Sequence, residues 1–311
     1  MNRHVPYSHC MDLKSQIEYS LFRLGLAGLK PLPYPWSRGL LRQAGRVAGT
    51  VLGVRRKVAE QQLQTAFPEL SAVELAELVG RVYDHLGATA AEVLCADPDV
   101  LMNTVTVEPG WAGLDRVMAR GRGVIAATGH IGNFELGGRV LAQRFPLLDV
   151  VKTQRNAPFD RFLQEQRLRF GIRTVPVERS GRAVLAHLRS GGLVTLLMDQ
   201  DAGKTGFATD FLGSRASTWP GAAKISIRTG CPVVPLAILR NDDGNHTLHI
   251  ADPLEPEGLT DREEDIRDFT GRISEAVERF IRKRPEQWFW VHRRWKGAME
   301  ARRINESLTK S

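Results

Sequence analysis

The feature that most constrains the fold is a regular alternation of short apolar runs and longer amphipathic segments after Pro98. The apolar runs are rich in β-branched residues and have the length of strands; they cover 105–107, 124–127, 148–152, 174–177, 193–198, 233–239 and 246–250. Segments with helical periodicity separate them, at 111–120, 134–144, 158–170, 180–189, 219–229 and 262–283. This alternation predicts an α/β fold with a mixed, mostly parallel central sheet flanked by helices.

The first hundred residues have helical periodicity instead. One apolar face repeats at spacings of three and four through Leu13, Ile17, Leu21 and Leu24. A second helical segment covers 40–52, and a possible capping box at Ser71 and Glu74 predicts a helix from 71 to about 96. We therefore divide the chain into a helical amino-terminal region, residues 1–97, and an α/β domain, residues 98–311.

The amino-terminal region also carries a run of basic residues without acids. Arg38, Arg42 and Arg46 lie four apart, Arg55–Lys57 follows, and no Asp or Glu occurs between residues 37 and 59. A basic amphipathic helix of this kind can lie on an anionic lipid surface, although a solvated face over a domain core remains the alternative. The neighbouring apolar segment is interrupted by Arg23 and is too short to span a bilayer. We therefore expect residues 17–57 to form a membrane-associating segment that attaches peripherally.

Composition limits the class of protein. The 311 residues include 43 Lys and Arg against 35 Asp and Glu, a net charge of +8, which favours an anionic partner such as phospholipid, nucleic acid or an acidic carrier protein. A mean hydropathy of −0.23 with 42% hydrophobic residues argues against a disordered chain and a polytopic membrane protein. The cysteines, Cys10, Cys95 and Cys231, are too dispersed for a disulfide framework or metal clamp, which indicates a reducing cytoplasm.

The strongest candidate for chemistry is His130, which lies with Glu135 at a junction between a strand and a helix. Five residues of an unbroken helix turn through about 500°, so the two side chains would meet only if the chain bends between them. Gly132 can supply that bend. A carboxylate on one imidazole nitrogen would leave the other free as a general base. The alternative is a structural pair, with the histidine at a sheet edge and the glutamate in a first helical turn.

Other motifs point away from different chemistries. The chain has no GxSxG elbow, so a protein nucleophile is not indicated and a substrate hydroxyl is expected to attack directly. The segment 201–206 lacks the upstream glycine of a phosphate loop, and the segment 121–126 matches a dinucleotide fingerprint but precedes its strand instead of following it. His246 and His249, three apart on a predicted strand, point to opposite faces and cannot share a metal ion.

Two further regions could contribute to a ligand site. Asp199 ends the run 193–198 and opens an irregular, glycine-rich region, residues 199–221; ligands bind beyond the carboxyl ends of strands in open α/β sheets. Arginines that could bind phosphate or an oxyanion follow another strand, at Arg155, Arg161, Arg167 and Arg169. Solvated turn residues and an exposed helix face are the respective alternatives. The tryptophan-rich segment 282–296 could lie at a membrane interface, stack on bases or simply dock on the domain.

Taken together, these segments resemble the lysophospholipid acyltransferase superfamily and, more narrowly, the lauroyl/myristoyl acyltransferases of bacterial lipid A assembly. The resemblance covers most of the chain, and the order in which its motifs occur makes it specific. The matching motifs are FPEL at 67–70, HIGNFE at 130–135, RNAPFDRFL at 155–163, RLRFG at 167–171, DQDAG at 199–203, FLG at 211–213, TGCPVVP at 229–235 and PEQWFWVHRRWK at 285–296.

The resemblance implies transfer of a fatty acyl group from acyl carrier protein, or from acyl-CoA, to a hydroxyl of a membrane glycolipid such as a lipid A precursor. It implies that His130 is the general base and that Glu135 orients it. Arg167, Asp199, Asn133 and Arg155 are the expected substrate-binding residues. No metal or other cofactor and no nucleic acid is expected, and the enzyme is expected at the cytoplasmic face of the inner membrane.

Three other functions stay open on the sequence. The acceptor could be another glycolipid, such as a mannosylated phosphatidylinositol, or a lysophospholipid. His130 could instead activate water, which would make the protein an acyl-thioester hydrolase. The basic surface could also serve a non-catalytic protein that binds anionic lipid or nucleic acid.

Overall fold

The computed structural model describes residues 13–296; the outer ends of the two predicted regions, and Cys10 with them, lie outside this range. The amino-terminal region is helical, as the periodicity predicts. A short π-helical segment, Val47–Val51, directly continues the second helix. The helices are α1 (Leu13–Leu29), α2 (Tyr34–Arg46), α3 (Arg56–Ala66) and α4 (Ala72–Leu94).

Local sequence accounts for the start and the packing of α4. The Ser71 hydroxyl accepts a hydrogen bond from the Glu74 amide at 3.3 Å, while the Glu74 carboxylate accepts one from the Ser71 amide at 2.9 Å. This confirms the predicted capping box, which satisfies amides that have no partner within the helix. Farther along, a Cβ at Gly87 would collide with the carbonyl oxygen of Leu41. Glycine at this position therefore lets α4 pack closely against α2.

From Pro98 onward, strands and helices alternate. A short helix, α5 (Pro98–Met102), capped by Asp97, precedes the first strand. The remaining helices are α6 (Ala112–Met118), α7 (Phe134–Arg144), α8 (Ala157–Arg169), α9 (Ser180–Arg189), α10 (Gly221–Thr229) and α11 (Glu263–Lys283). The strands are β1 (Val105–Glu108), β2 (Val124–Thr128), β3 (Leu147–Val151), β4 (Arg173–Pro176), β5 (Leu193–Leu197), β6 (Phe207–Phe211), β7 (Ser214–Thr218), β8 (Val233–Arg240) and β9 (His246–Ile250).

Seven of these strands form one sheet in the order β1-β9-β8-β2-β5-β3-β4. Every neighbouring pair is parallel except β8 and β9, which are antiparallel. Strand β2 lies at the centre and is fully buried. Ile125 and Ala127 join one apolar cluster, whereas Val124 and Ala126 join the other. The prediction of a mixed, mostly parallel sheet between helical layers is confirmed.

The region 199–221 differs from the sequence prediction. It contains a separate antiparallel hairpin, β6–β7, rather than an irregular loop. Alternate residues of the hairpin, Thr209, Phe211, Ala216 and Thr218, are buried. The connecting Leu212 and Gly213 have positive φ angles of 49° and 81°. The alternation was obscured because small and polar residues occupy most of the inward positions, where larger apolar residues usually mark a strand.

Helix α1 leaves most of its apolar side chains uncovered. Phe22 packs edge-on against Phe159 and Phe162 of α8, at ring-centroid distances of 5.2 and 5.4 Å. The four residues of the predicted apolar face are between 52% and 72% exposed: Leu13, Ile17, Leu21 and Leu24. None of the helices described is both long and apolar enough to cross a bilayer.

Candidate active site

The central strands bring His130 and Asp199 together. Strands β2 and β5 are parallel neighbours, with Thr128 opposite Leu197, so the residues that follow them emerge at the same edge of the sheet. His130 Nδ1 lies 2.9 Å from Asp199 Oδ1, and the His130 amide donates to Asp199 Oδ2 at 2.7 Å. A Cβ at Gly129 would lie only 3.0 Å from Asp199 Cγ. Glycine there allows the carboxylate to approach the turn closely.

Asp199 is buried and held ionised. Its side chain is 2% exposed, and Trp288 Nε1 donates to Oδ2 at 2.7 Å. Burial raises the pKa of the carboxyl, but the charge of His130 and hydrogen bonds from His130 and Trp288 outweigh burial and lower the pKa to about 2. An ionised carboxylate only accepts hydrogen bonds, so Nδ1 of the neutral His130 ring carries the proton. The ring therefore presents Nε2 as its basic nitrogen.

The surroundings of His130 favour its protonated form. Burial lowers the pKa of the imidazole, but the charge and hydrogen bond of Asp199, together with the charge of Glu135, raise it above its ordinary value. The His130 side chain is 23% exposed. Phe134 and Phe289 flank the ring at centroid distances of 5.2 and 6.0 Å. The result is an oriented imidazole that gains a proton readily and is still reached by solvent.

Glu135 has a different position from the predicted one. Gly132 does bend the chain, with φ of +59°, and a Cβ there would collide with the Ile238 carbonyl oxygen. The Glu135 carboxylate, however, binds Arg167, with Nη2–Oε1 at 2.5 Å and Nε–Oε2 at 3.1 Å. The carboxylate on the imidazole is thus Asp199, and Glu135 acts on His130 only through its charge. Sequence spacing favoured Glu135 as the partner of His130 because the two residues are close in the chain. That β5, which leads to Asp199, lies beside β2 cannot be read from local sequence.

Arg167 lies at the end of α8 beside this site. Its side chain and that of Glu135 are each 16% exposed. Burial lowers the pKa of the guanidinium, but the charge and hydrogen bond of Glu135 raise it. Asp149, on β3, completes the cluster; burial raises the pKa of its carboxyl to about 6, partly opposed by Thr195 and Arg167. Asp149 was not predicted as a site residue, although a charged residue inside an apolar strand is itself a signal of a buried polar site.

Two of the expected substrate-binding residues have different surroundings. Asn133 is 1% exposed; its Nδ2 donates to Glu92 at 2.9 Å and its Oδ1 accepts from the Leu136 amide at 3.0 Å. It therefore caps α7 and has no free face for a substrate, which corrects the prediction. Its position in the motif concealed this, because asparagine is both a common helix cap and a common ligand. Arg155 is exposed in the connection between β3 and α8.

A buried polar network anchors the cap of α7 to the amino-terminal region. Glu92 of α4 binds Arg240 through Nε at 2.5 Å and His246 at 3.3 Å. Burial, with the charge of Arg240, lowers the pKa of His85 in this network to about 3, which keeps it neutral. Within residues 13–296, no group of three or more His, Cys, Asp or Glu is arranged to hold a metal ion.

The carboxyl-terminal segment docks on the domain, which was one of three interpretations of its sequence. Trp288, Trp290 and Trp295 are at most 1% exposed, so they are available neither to lipid nor to bases. Arg294 is fully buried and donates to the carbonyl oxygen of Gln200 at 2.9 Å. The segment thus encloses the loop that carries Asp199. Trp288 was not assigned to the site from the sequence, although it lies in a motif that carried the family resemblance, whereas Gln200 follows Asp199 in the region that was expected to contribute to a ligand site.

The fold and this site define an α/β protein with an imidazole–carboxylate pair at the carboxyl ends of central parallel strands. The family model for bacterial lipid A biosynthesis acyltransferases matches residues 10–297. The chain belongs to this family and is an acyltransferase, as the sequence motifs indicated.

Two relatives match most of this chain, and a third matches part of it. The lipid A biosynthesis palmitoleoyltransferase of Escherichia coli K12 is 28% identical over 281 residues, which cover 88% of this chain and 90% of that protein. The lauroyltransferase of the same organism is 27% identical, over 85% and 87% of the two chains. The phosphatidylinositol mannoside acyltransferase of Mycobacterium tuberculosis H37Rv is 30% identical, over 39% of this chain and 40% of that one.

Among solved structures, the 1-acyl-sn-glycerophosphate acyltransferase of Thermotoga maritima is similar, with a TM-score of 0.36 and 17% identity. The match covers 82% of this chain and 99% of that one.

Proposed function

We propose that this acyltransferase moves a fatty acyl group from a thioester, carried by acyl carrier protein or CoA, to a hydroxyl of a membrane glycolipid, a lipid A precursor. His130 is the general base, and Asp199, rather than Glu135, orients it. The observation that carries this proposal is the 2.9 Å contact between His130 Nδ1 and Asp199, which leaves Nε2 as the proton acceptor.

The proposed reaction is a single displacement. His130 Nε2 takes the proton of the acceptor hydroxyl while the hydroxyl oxygen attacks the thioester carbonyl carbon. The tetrahedral intermediate then collapses, the carbon–sulfur bond breaks, and the imidazolium returns the proton to the departing thiolate. Asp199 stabilises the imidazolium during these steps, as a buried carboxylate does in hydrolytic triads. No protein nucleophile takes part.

Two arginines, Arg167 beside His130 and Arg155 before the same helix, are suited to an acceptor that carries phosphate. Glu135 engages Nε and Nη2 of Arg167, so the Nη1 amino group remains for a ligand. Arg155 precedes the same helix and is exposed. We assign Arg167 and Arg155 to the phosphates of the acceptor, because a guanidinium N–H forms a strong, charge-assisted hydrogen bond with such an oxyanion. Glu135 holds Arg167 in position for this role.

Peripheral attachment to the inner membrane, at its cytoplasmic face, is part of the proposal. Besides the uncovered face of α1, the next helix in the chain, α2, exposes Trp36 and Leu40, which are 70% and 53% exposed. Exposed apolar side chains of this size on adjacent helices are typical of a lipid-contacting surface. Helix α1 packs on α8, which carries Arg167. A membrane bound through α1 would therefore lie near the site that its lipid substrate must reach.

The basic residues of α2 contribute less to lipid binding than their spacing indicated. Arg42 and Arg46 both pair with Asp84 of α4, at 2.7 and 2.8 Å. Part of the basic face therefore serves to pack the helices, which agrees with the alternative interpretation of this charge run. We expect the apolar side chains of α1 and α2 to supply most of the membrane affinity.

Acyl transfer by the purified protein tests the proposal. Lipid A precursor in detergent micelles is incubated with acyl carrier protein or CoA carrying one defined fatty acid, and the lipid is examined by mass spectrometry. A mass gain of one acyl group is expected. His130→Ala should lower the rate by about 100- to 10,000-fold, the usual effect of removing a general base.

His249→Ala is the matched control, because His249 lies beside Glu108 and Phe280, on a strand near the sheet edge. Its activity should remain near that of the unmodified protein. Release of free fatty acid without acylated lipid would show that the protein is a thioester hydrolase and not an acyltransferase to lipid. If His130→Ala were as active as the unmodified protein, His130 would not be the general base.

A further inference from the structure

The side chain of Gln200 contacts the proposed reacting nitrogen. It follows Asp199 directly, and its amide nitrogen Nε2 lies 3.4 Å from His130 Nε2. Because Asp199 fixes the ring proton on Nδ1, Nε2 of the neutral ring accepts and the Gln200 amide donates. A hydrogen bond of 3.4 Å is long and weak. An acceptor hydroxyl can therefore displace the amide from Nε2 at small cost.

The main chain of Gln200 is held firmly. Its carbonyl oxygen accepts a hydrogen bond from Arg294 Nη1 at 2.9 Å. The same guanidinium donates to Thr218 Oγ1 at 2.5 Å and lies 4.5 Å from the ring centroid of Phe211. Arg294 is itself fully buried. Gln200 thus has a fixed backbone and a side chain with one weak attachment, so its amide can be redirected without moving the loop.

Other donors in the turn are already used. The His130 amide donates to Asp199, and the Gly132 amide donates to the Gln287 carbonyl oxygen at 2.8 Å. The Asn133 side chain donates to Glu92. An oxyanion hole is commonly formed by donors of this kind next to the base. With these three committed elsewhere, the Gln200 amide is a neutral donor that contacts the reacting nitrogen.

We propose that the Gln200 side-chain amide is the oxyanion donor of the acyl transfer; this rests on the proposed function. The acceptor hydroxyl replaces Gln200 at His130 Nε2 and loses its proton there as its oxygen bonds to the thioester carbon. The electron pair of the carbonyl double bond moves onto the carbonyl oxygen, to which Gln200 donates. When the carbonyl re-forms, the carbon–sulfur bond breaks and the thiolate takes the proton from His130.

Gln200→Met tests this role, because methionine has nearly the same length and volume but no N–H donor. Loss of one oxyanion donor lowers kcat by about 100- to 1,000-fold in a well-studied protease. We expect a decrease of about 100-fold in kcat, with the KM of the acceptor lipid changed by less than about 3-fold, since the interaction forms in the transition state. Gln200→Asn, which keeps an amide on a shorter side chain, should recover part of the loss.

The pH profile provides a readout that a structural role would not change. The Gln200 amide contacts Nε2 of the neutral His130 ring, and a donor that binds only the neutral form should favour that form. In Gln200→Met, the ascending limb of kcat/KM and the NMR titration of the His130 ring should both move to higher pH. Gln61→Met is the control, because Gln61 is exposed on α3. Neither its kcat nor its pH profile should change.

The outcomes for the two proposals are separable. If His130→Ala is inactive while Gln200→Met keeps more than about a third of the kcat, Gln200 is not the oxyanion donor and the general base stands. A change confined to KM or to the melting temperature would equally overturn the role of Gln200. If His130→Ala retains full activity, the proposed function fails whatever Gln200→Met does.

Discussion

Trp288 Nε1 donates to Asp199 Oδ2 at 2.7 Å, so the carboxyl-terminal segment directly supports the carboxylate that holds His130. The same oxygen accepts the His130 amide at 2.7 Å. The hydrogen bonds explain how a buried, charged aspartate is accommodated at the end of a central strand. They also explain why a tryptophan from the far end of the chain belongs to the site.

Trp288→Phe keeps an aromatic ring and removes this hydrogen bond. Hydrogen bonds to charged groups are worth about 1.5–3 kcal/mol, so we expect the free energy of unfolding to fall by about that amount. Denaturant titration measures it. Trp290→Phe is the matched control, because Trp290 Nε1 donates to the neutral Pro285 carbonyl oxygen. Its cost should be smaller, about 0.5–1.5 kcal/mol. Equal costs would mean that Asp199 gains nothing from Trp288.

The pKa shifts of the pair predict how activity depends on pH. Asp199 raises the pKa of His130, and the base acts only when it is deprotonated. The kcat/KM should therefore rise with pH through a pKa above 6.5, the ordinary value for histidine. In Asp199→Asn the ascending limb of kcat/KM should move to lower pH. The kcat should fall by about 100- to 10,000-fold, because the carboxylate no longer fixes the His130 tautomer or stabilises the imidazolium. An unmoved limb would contradict the pairing.

The free energy of unfolding should depend on pH through the same pair, with Asp199 and His130 contributing in opposite directions as pH changes. The pKa of Asp199 is lowered, so its contribution to stability is present above about pH 4 and is lost as pH falls towards about 2. The pKa of His130 is raised, so its contribution is complete below about pH 6.5 and is lost as pH rises through the folded-state pKa. Melting curves of the unmodified protein and of Asp199→Asn measure both, and the difference between them should shrink at low pH.

The site shows what can be predicted from this sequence and what cannot. His130 and Asp199 were placed at strand ends because apolar runs ending in polar residues are local signals. Their pairing depends on β5 lying beside β2, and strand order is set by packing of the whole sheet. Two carboxylates, Glu135 and Asp199, both act on His130 in the fold, and only the geometry assigns one of them to the imidazole.

The remaining differences have the same physical origin. The burial of Asn133 depends on Glu92, which is 41 residues away in the chain. The three buried tryptophans of the last described segment pack on elements distant in sequence, so their composition alone could not separate docking from lipid contact. In contrast, the start of α4 at Ser71 depends on residues within one helical turn, and it was predicted correctly.

The ion pair of Glu135 and Arg167 should act on the fold more than on the tautomer of His130. Both side chains are largely buried, and removing one partner of a buried pair costs about 3–5 kcal/mol because the other charge is left uncompensated. Glu135→Gln should therefore destabilise the protein by up to that amount, measured by denaturant titration. Nitrogen NMR of the His130 ring should still find the proton on Nδ1, whereas Asp199→Asn should lose this preference. Loss of the tautomer in Glu135→Gln would restore Glu135 as the orienting residue.

The uncovered face of α1 should determine binding to lipid. Leu13, Ile17, Leu21 and Leu24 present apolar area that folding leaves in water, and its transfer into a lipid interface is favourable by about 25 cal/mol per Å². The change of Ile17, Leu21 and Leu24 to Glu should lower the bound fraction in flotation with anionic liposomes by about 10-fold or more. The change of Val100, which is 65% exposed on α5, to Glu is the control and should leave binding unchanged.

Because Arg42 and Arg46 are paired with Asp84, high salt should weaken binding much less than the α1 changes do. Binding abolished by salt alone would show that charge, and not this apolar face, holds the protein on the membrane.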